Sequence, residues 1–363
     1  RYYLRYGVDL KEREEFTFSP VNFGVVLHAV IREVCDEIKK NGESYYLISE
    51  EKRREMVKRS VAAITDIYQN SILKDSSRNS FMIKRMEDLA DRTVWAMGEQ
   101  LKCGDFVPFV FEHKFNMEVG DGDRKQLMRG TIDRVDICEN GTDVYVRIID
   151  YKTGKKDFNI VKTYYGIDIQ LMVYMEAAMK LVAKMRPGKN VIPAGVFYYN
   201  ISDPIVSATT ESAEEIEDKI KGELRLKGMV NSDKDIAEKM DNTGGTSLNI
   251  PVSRKADGGF DSRRSKVMNT EQFNMLGRFV DVRAVDTADR IAGGDIRRSP
   301  YKDGQFSSCD RCPYGAVCGF SVDLPGCNYR KLKKFDDEVL WNNIKEGVDE
   351  NGKKMDTGAE ERD

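Results

Sequence analysis

Histidine is nearly missing from this chain: His28 and His113 are its only two among 363 residues. So few make a His-rich catalytic zinc site or a Ser-His-Asp hydrolase hard to assemble, and hydrolytic chemistry must lean on carboxylates. No apolar run approaches the roughly 18 residues that span a bilayer, which argues against a membrane protein. A Gly-x-x-x-x-Gly-Lys-Thr loop is also missing, so any ATP-dependent step lies elsewhere. Neither sign of charge dominates, with 58 Lys and Arg against 61 Asp and Glu. Contact with nucleic acid must therefore come from a local basic patch. The opening Arg1-Tyr2-Tyr3-Leu4-Arg5-Tyr6 has neither an initiating Met nor the layout of a signal peptide, and reads as the start of a fragment.

What is present is the composition of a soluble globule, 40% hydrophobic and 33% charged, long enough for one large core or two smaller ones. Seven Cys is an odd count, with three crowded at Cys309, Cys312 and Cys318. That fits a reduced compartment and a metal better than a disulfide scaffold, and makes cytoplasm the expected location.

Apolar residues from Val21 to Ile38 recur at three- and four-residue steps and predict a helix over about 19–40, with His28 in its middle. Residues 49–101 read as two or three further helices, interrupted near Lys74-Asp75-Ser76-Ser77, and form a helical insertion or cap. After Pro108 the pattern changes to short strands: Val107 to Val119, Leu127 to Ile137 and Val144 to Tyr151. A helix is expected from about Gly166 to Lys184, then a strand from Val191 to Ile201. Beyond lie a helix near Ala213 to Leu226, a Gly/Asp/Ser-rich loop over 241–265, a helix from Thr270 to Ala292, the Cys cluster and a charged tail.

Two strand-borne segments are the most informative: Gly130-Thr131-Ile132-Asp133-Arg134-Val135-Asp136 and Ile148-Ile149-Asp150-Tyr151-Lys152-Thr153-Gly154. Side chains alternate along a strand, so Asp150 and Lys152 share a face that continues Val144, Val146 and Ile148. Carboxylates on neighbouring strands repel unless a cation sits between them, and hard oxygen ligands select Mg²⁺ or Mn²⁺. A metal and a nearby ammonium together supply what phosphodiester hydrolysis needs: an activated water and neutralised phosphate charge. Alone, an Asp-x-Lys is more often a surface ion pair. Gln170 and Tyr174 strengthen the reading, because they share a face one turn apart on an otherwise apolar helix.

Gly-x-x-Asp-Arg-x-Asp, Asp-Tyr-Lys-Thr-Gly and Gln-Leu-x-x-Tyr, in this order, resemble the RecB-like branch of the PD-(D/E)xK nucleases. Phe23-Gly24-Val25-Val26-Leu27-His28 is similar to that family's first motif, in which a His on a helix adds a metal ligand. A lone helical His is more often structural, so the assignment of His28 rests on the resemblance. Glu112 stands on a strand where relatives carry a supporting acid; exposed strand Glu is common. A further resemblance, from Arg1 to about Leu332, is to the AddB/RexB family of helicase-nuclease subunits, carried by Tyr6-Gly7-Val8-Asp9-Leu10, Tyr165-Gly166-Ile167-Asp168-Ile169-Gln170-Leu171 and Pro193-Ala194-Gly195-Val196-Phe197-Tyr198-Tyr199. It implies an exonuclease that processes double-strand ends for recombinational repair and degrades the 5′-ended strand. An AddA-like subunit would supply the motor and cut the other strand.

Cys309-x2-Cys312-x5-Cys318 is a metal signature on spacing alone, open between zinc and [4Fe-4S]. The resemblance implies the iron-sulfur cluster, with a fourth Cys just upstream of Arg1. Cys327 is the alternative fourth ligand. The cluster's implied role is to staple the carboxy-terminal segment around the core. Cys35, Cys103 and Cys138 read as packing residues. Lys155, Lys156 and Lys162 follow the acid-bearing strand and are candidate phosphate contacts, though most such clusters are solvated faces.

The expectation is an α/β restriction-endonuclease-like fold, a mixed central sheet flanked by helices, over residues 1–335. Core motifs fall at 20–40 and 107–201, the helical insertion at about 45–104, a Cys-bearing extension at 202–335, and a charged flexible tail at 336–363. Asp133, Asp150, His28 and the Tyr151 carbonyl are expected to hold Mg²⁺ or Mn²⁺. Lys152 is expected to position the water, with Gln170 and Tyr174 ordering the site. The partners are DNA ends and single strands and the AddA-like subunit, with no membrane, in a nucleoid-associated setting. The alternatives are a catalytically idle DNA-binding, iron-sulfur scaffold module, or a stand-alone RecB-like exonuclease.

Overall fold

A computed structural model describes residues 20–67, 77–119, 126–207, 212–310 and 312–357. The segment Tyr6–Leu10, the break at Lys74–Ser76 and the turn at Gly120–Asp123 lie outside the described residues. In chain order the elements are α1 (Pro20–Lys40), α2 (Glu50–Ile67), α3 (Ser77–Lys102), β1 (Val107–Val119), β2 (Gln126–Asn140), β3 (Asp143–Lys152), α4 (Ile160–Tyr164), α5 (Gln170–Met185) and β4 (Asn190–Asn200). They continue with α6 (Ala213–Glu223), β5 (Lys227–Asn231), α7 (Lys234–Met240), β6 (Val267–Met268), α8 (Thr270–Ala292), β7 (Tyr301–Asp303), β8 (Phe306–Ser307), α9 (Gly315–Cys318), β9 (Arg330–Lys331) and α10 (Asp337–Thr357).

The chain divides into two compact units, residues 1–104 with 151–155 and 199–225, and residues 105–150 with 156–198 and 226–363. In the first, α1 begins on Pro20, whose fixed φ and missing N–H suit a first helical position. It ends on Lys39 and Lys40, which oppose the helix dipole, before Gly42 at φ 66°. Its Val26, Leu27, Val30, Ile31, Val34 and Ile38 are fully buried. They pack with α2 and α3 through Met56, Val57, Val61, Met86, Ala90 and Val94. Each fully buried aliphatic side chain of this kind contributes about 1.5–3 kcal/mol.

In the second unit a six-stranded sheet runs in the order β1-β2-β3-β4-β5-β6. Pairing is antiparallel for β1/β2, β2/β3 and β4/β5 and parallel for β5/β6, so the sheet is mixed, as expected. Pro108 sits at a register shift of β1, the edge strand, where a residue without an N–H is tolerated. One face of the sheet, carrying Val135, Ile137, Val144, Val146 and Ile148, is buried with Leu171, Met172, Met175 and Val182 of α5 and Phe273, Leu276 and Val280 of α8. Asn269 and Gln272 start α8 with a reciprocal capping box. A second, three-stranded sheet, β8-β7-β9, carries the cysteine segment.

The carboxy-terminal stretch departs from its expected form. Residues 337–357 are a helix, not a flexible tail, and Leu340 and Ile344 are buried in the same core as α8. Dense charge on the outer face hid a short apolar stripe, Leu340, Trp341, Ile344 and Val348, at helical spacing.

Candidate active site

Register, which sequence alone does not give, brings the acids together. Phe111 pairs with Arg134 and His113 with Ile132, so Glu112 of β1 is level with Asp133 of β2. On the other side Arg134 pairs with Ile149, and continuing that register by one residue sets Asp133 level with Asp150 of β3. Residues directly opposite on antiparallel strands project to the same face. Glu112, Asp133 and Asp150 therefore form a row across three strands, and the carboxylates of Glu112 and Asp133 offer oxygens within 4.8 Å of each other. Asp133 and Asp150 are buried, at 7% and 1% exposure. Asp150 ends the buried face of Val144, Val146 and Ile148, as alternation requires.

Glu112 has φ 46°, a left-handed conformation in mid-strand. For a residue with a Cβ this costs roughly 1–3 kcal/mol, and such strain gathers at functional positions.

Helix α5 delivers Gln170 at its first residue and Tyr174 one turn later. The Gln170 side-chain amide donates to Asp150 Oδ1 at 2.9 Å and to the Tyr174 hydroxyl at 3.0 Å. Burial pushes the Tyr174 hydroxyl above its ordinary range; the Gln170 bond opposes this, and the charges of Asp150, Asp133 and Glu112 add to it. Three acids thus act on one hydroxyl, which stays protonated. Gly130 leaves room for this cluster: a Cβ there would lie 2.6 Å from the Phe115 ring and 3.2 Å from that of Tyr174. Phe115 and Tyr174 meet edge to face with centroids 5.7 Å apart.

Lys152 is half-buried at the end of β3, two residues past Asp150, and its carbonyl accepts from Ile201 N at 2.8 Å. Between them Tyr151 is buried, its ring edge-on to His28 at 5.9 Å and to Tyr199 at 5.8 Å. His28 lies mid-way along α1 and is half-buried. Lys155 is exposed. Lys156 is committed to Asp168 at 3.1 Å, and Lys162 to Asp303 at 3.0 Å.

Two clusters beside the acids were not anticipated. Asp136 accepts from Arg134 and Arg147, all three side chains almost fully buried. Asp168 accepts from Tyr198 and Lys156. The alternation of Asp133 with Arg134 and Asp136 signalled a second charged face, but only register shows that Asp136 meets Arg147.

Cys309, Cys312 and Cys318 are free thiols on a loop and the one-turn helix α9; Cys312 is exposed and the other two are half-buried. Cys327 is free and buried. Among the described residues no helix is long and apolar enough to cross a membrane.

Residues 1–319 match the profile of the PD-(D/E)XK nuclease superfamily. The B subunit of the ATP-dependent helicase/deoxyribonuclease of Thermoanaerobacter sp. (strain X514) is 33% identical over 366 residues, covering 98% of this chain and 32% of the relative. The corresponding protein of Caldanaerobacter subterraneus subsp. tengcongensis is 34% identical over 373 residues, covering 100% and 32%, and that of Clostridium acetobutylicum is 33% identical over 361 residues, covering 97% and 31%. The chain spans about a third of the length of the curated relatives it matches.

Proposed function

The chain belongs to the PD-(D/E)XK nuclease superfamily, and on that premise we propose that it is a Mg²⁺- or Mn²⁺-dependent DNA exonuclease domain of a helicase-nuclease complex. The observation that carries this is the row of Glu112, Asp133 and Asp150 on adjacent strands, with Lys152 two residues beyond the last. A ligand set made mostly of carboxylate oxygens, two of the acids buried, suits a hard divalent cation. Asp133, Asp150, His28 and the Tyr151 carbonyl are the proposed ligands, with Glu112 in support. When bound, the cation activates water and neutralises charge on the phosphate oxygens. The chain's own groups do the rest. Gln170 orients the Asp150 carboxylate, Tyr174 remains a protonated donor, and the Lys152 ammonium faces the charge that develops on the scissile phosphate.

The wider role is proposed from the resemblance and from the names of the relatives: processing of double-strand ends for recombinational repair, on the 5′-ended strand, with an AddA-like partner, in the cytoplasm at the nucleoid. Residues 1–335 are proposed as the nuclease domain, and Lys155 as a phosphate contact. Cys309, Cys312 and Cys318 are a sulfur donor set suited to the proposed [4Fe-4S] cluster, with a structural role.

The test is digestion of linear single-stranded DNA by the chain with Mn²⁺. Asp150→Ala and Lys152→Ala should each lower the rate by at least about 100-fold while leaving the fold intact. Full activity in Lys152→Ala would defeat the assignment, and an inert wild-type chain in the presence of its partner would favour the scaffold alternative.

A further inference from the structure

Asp168 lies two residues before Gln170, outside the acid row, and its side chain is 9% exposed. Its Oδ1 accepts from the Tyr198 hydroxyl at 2.7 Å and from Lys156 Nζ at 3.1 Å, while that ammonium stands 4.5 Å over the Tyr198 ring. A buried carboxylate is tolerated when it is paired and bonded in this way. Burial first, then the bond and charge of Asp168, then the charge of Asp150 hold the Tyr198 hydroxyl far above its ordinary range. It is therefore a permanent donor within electrostatic reach of Asp150.

Three segments converge on this carboxylate: the loop after β3 through Lys156, the turn before α5 through Asp168 itself, and β4 through Tyr198. The backbone of Asp168 is fixed as well, its carbonyl accepting from Thr163 Oγ1 at 2.9 Å. Helix α5 has no side-chain cap of its own, since Ile169 occupies the N-cap. The anchoring that a capping side chain ordinarily gives falls instead to the residue before it. The first residue of the helix, Gln170, two past Asp168, is the one that donates to Asp150 Oδ1.

We propose that Asp168 is a positioning residue for Asp150: tied to Lys156 and Tyr198, it fixes the first turn of α5, and that turn sets the Gln170 amide on Asp150 Oδ1. This rests on the reading of Asp150 as a ligand of the divalent cation. Lys156 then serves the site through Asp168 and not through a DNA phosphate.

The experiment is calorimetric titration of Mn²⁺ into the full chain, for the wild type, Asp150→Ala, Gln170→Ala, Asp168→Ala and the Gln170→Ala/Asp168→Ala double variant. Loss of an outer partner of a metal ligand weakens metal binding roughly 10- to 100-fold, so Gln170→Ala and Asp168→Ala should each do so. Because they act in series, the double variant should bind no more weakly than the poorer single variant. Wild-type Mn²⁺ affinity in Asp168→Ala, or a double-variant loss equal to the product of the two single losses, overturns the proposal. Should Asp168→Ala fail to fold, Tyr198→Phe, which removes one hydroxyl, is measured in its place against Gln170→Ala by the same criteria. If Asp150→Ala binds Mn²⁺ as the wild type does, the ligand reading falls and the inference with it. If Asp150→Ala binds poorly and the Asp168 and Tyr198 variants bind normally, the inference alone falls.

Discussion

Asp136 on β2 stands directly opposite Arg147 on β3, and its Oδ2 accepts from Arg147 Nε at 2.8 Å with both side chains sealed from water. Arg134 completes the arrangement with two bonds of 2.7 Å to the same carboxylate, and the Arg147 guanidinium lies 4.8 Å over the Phe106 ring. By strand alternation this cluster is on the face opposite Asp133 and Asp150. The strands that carry the acids are thus cross-linked from behind, a few residues from where the acids must converge.

Removing Asp136 strands two buried guanidiniums. Asp136→Ala should cost about 3–5 kcal/mol, read as a lowered urea midpoint, because breaking a buried pair leaves its partner uncompensated. Burial acts to raise the Asp136 carboxyl, but Arg134 and Arg147 outweigh it and hold it below its ordinary value of 3.8. A depressed carboxyl contributes its stability above the unfolded value and loses it as pH falls through the folded one. The wild-type midpoint should therefore drop in acid more steeply than that of the variant. A variant losing under about 1 kcal/mol would show that the triad is worth no more than surface pairs.

Much of the site is legible in the residues themselves, for one reason: strand alternation and helical spacing are local. They place Asp150 at the end of a buried face and put Gln170 and Tyr174 one turn apart. The rows that cross strands are not legible in this way. Glu112 beside Asp133, and Asp136 against Arg147, follow from register, which depends on pairing between distant segments. The fate of Lys156 is likewise hidden, because its partner Asp168 is twelve residues away, on the far side of α4. The carboxy-terminal helix escapes sequence reading because its four apolar positions are diluted by charge.

The left-handed Glu112 separates backbone strain from ligation. Glu112→Gly accepts φ 46° without the Cβ clash, whereas Glu112→Ala retains it, so the Gly variant should be the more stable of the two by about 1 kcal/mol. Both variants lose the carboxylate and should bind Mn²⁺ more weakly than the wild type. Thermal unfolding with and without Mn²⁺ measures both effects at once. Equal Mn²⁺ stabilisation in wild type and variants would remove Glu112 from the site.

The cysteine segment gives a test that is independent of nuclease activity. After anaerobic reconstitution with iron and sulfide, Cys309→Ser, Cys312→Ser and Cys318→Ser should each lower the iron bound per chain. Cys327→Ser should leave it unchanged, since Cys327 lies outside the Cys309-x2-Cys312-x5-Cys318 signature. Iron content insensitive to all three substitutions, or zinc retained in place of iron, would end the iron-sulfur assignment.

Between α5 and α8, Glu176 and Asp281 share a hydrogen bond, and the burial of Asp281 beside the Glu176 charge pushes its carboxyl up to about 8. Glu176 is the lowered partner: burial opposes this, but its bonds to Asp281 and Lys180 prevail. Asp281 therefore carries the shared proton in the folded state and releases it in the unfolded chain once pH exceeds its ordinary value of 3.8. A raised carboxyl contributes stability that is full below the unfolded value and is lost as pH climbs through the folded one, so this pair should weaken the fold between about pH 5 and 8. Asp281→Asn keeps a donor toward Glu176 at every pH and cannot ionise. Its urea midpoint should fall less than that of the wild type over this interval, with the two closest at the acid end. Parallel midpoints from pH 5 to 8 would show that Asp281 is ionised in the folded protein, with Lys180 neutralising both acids.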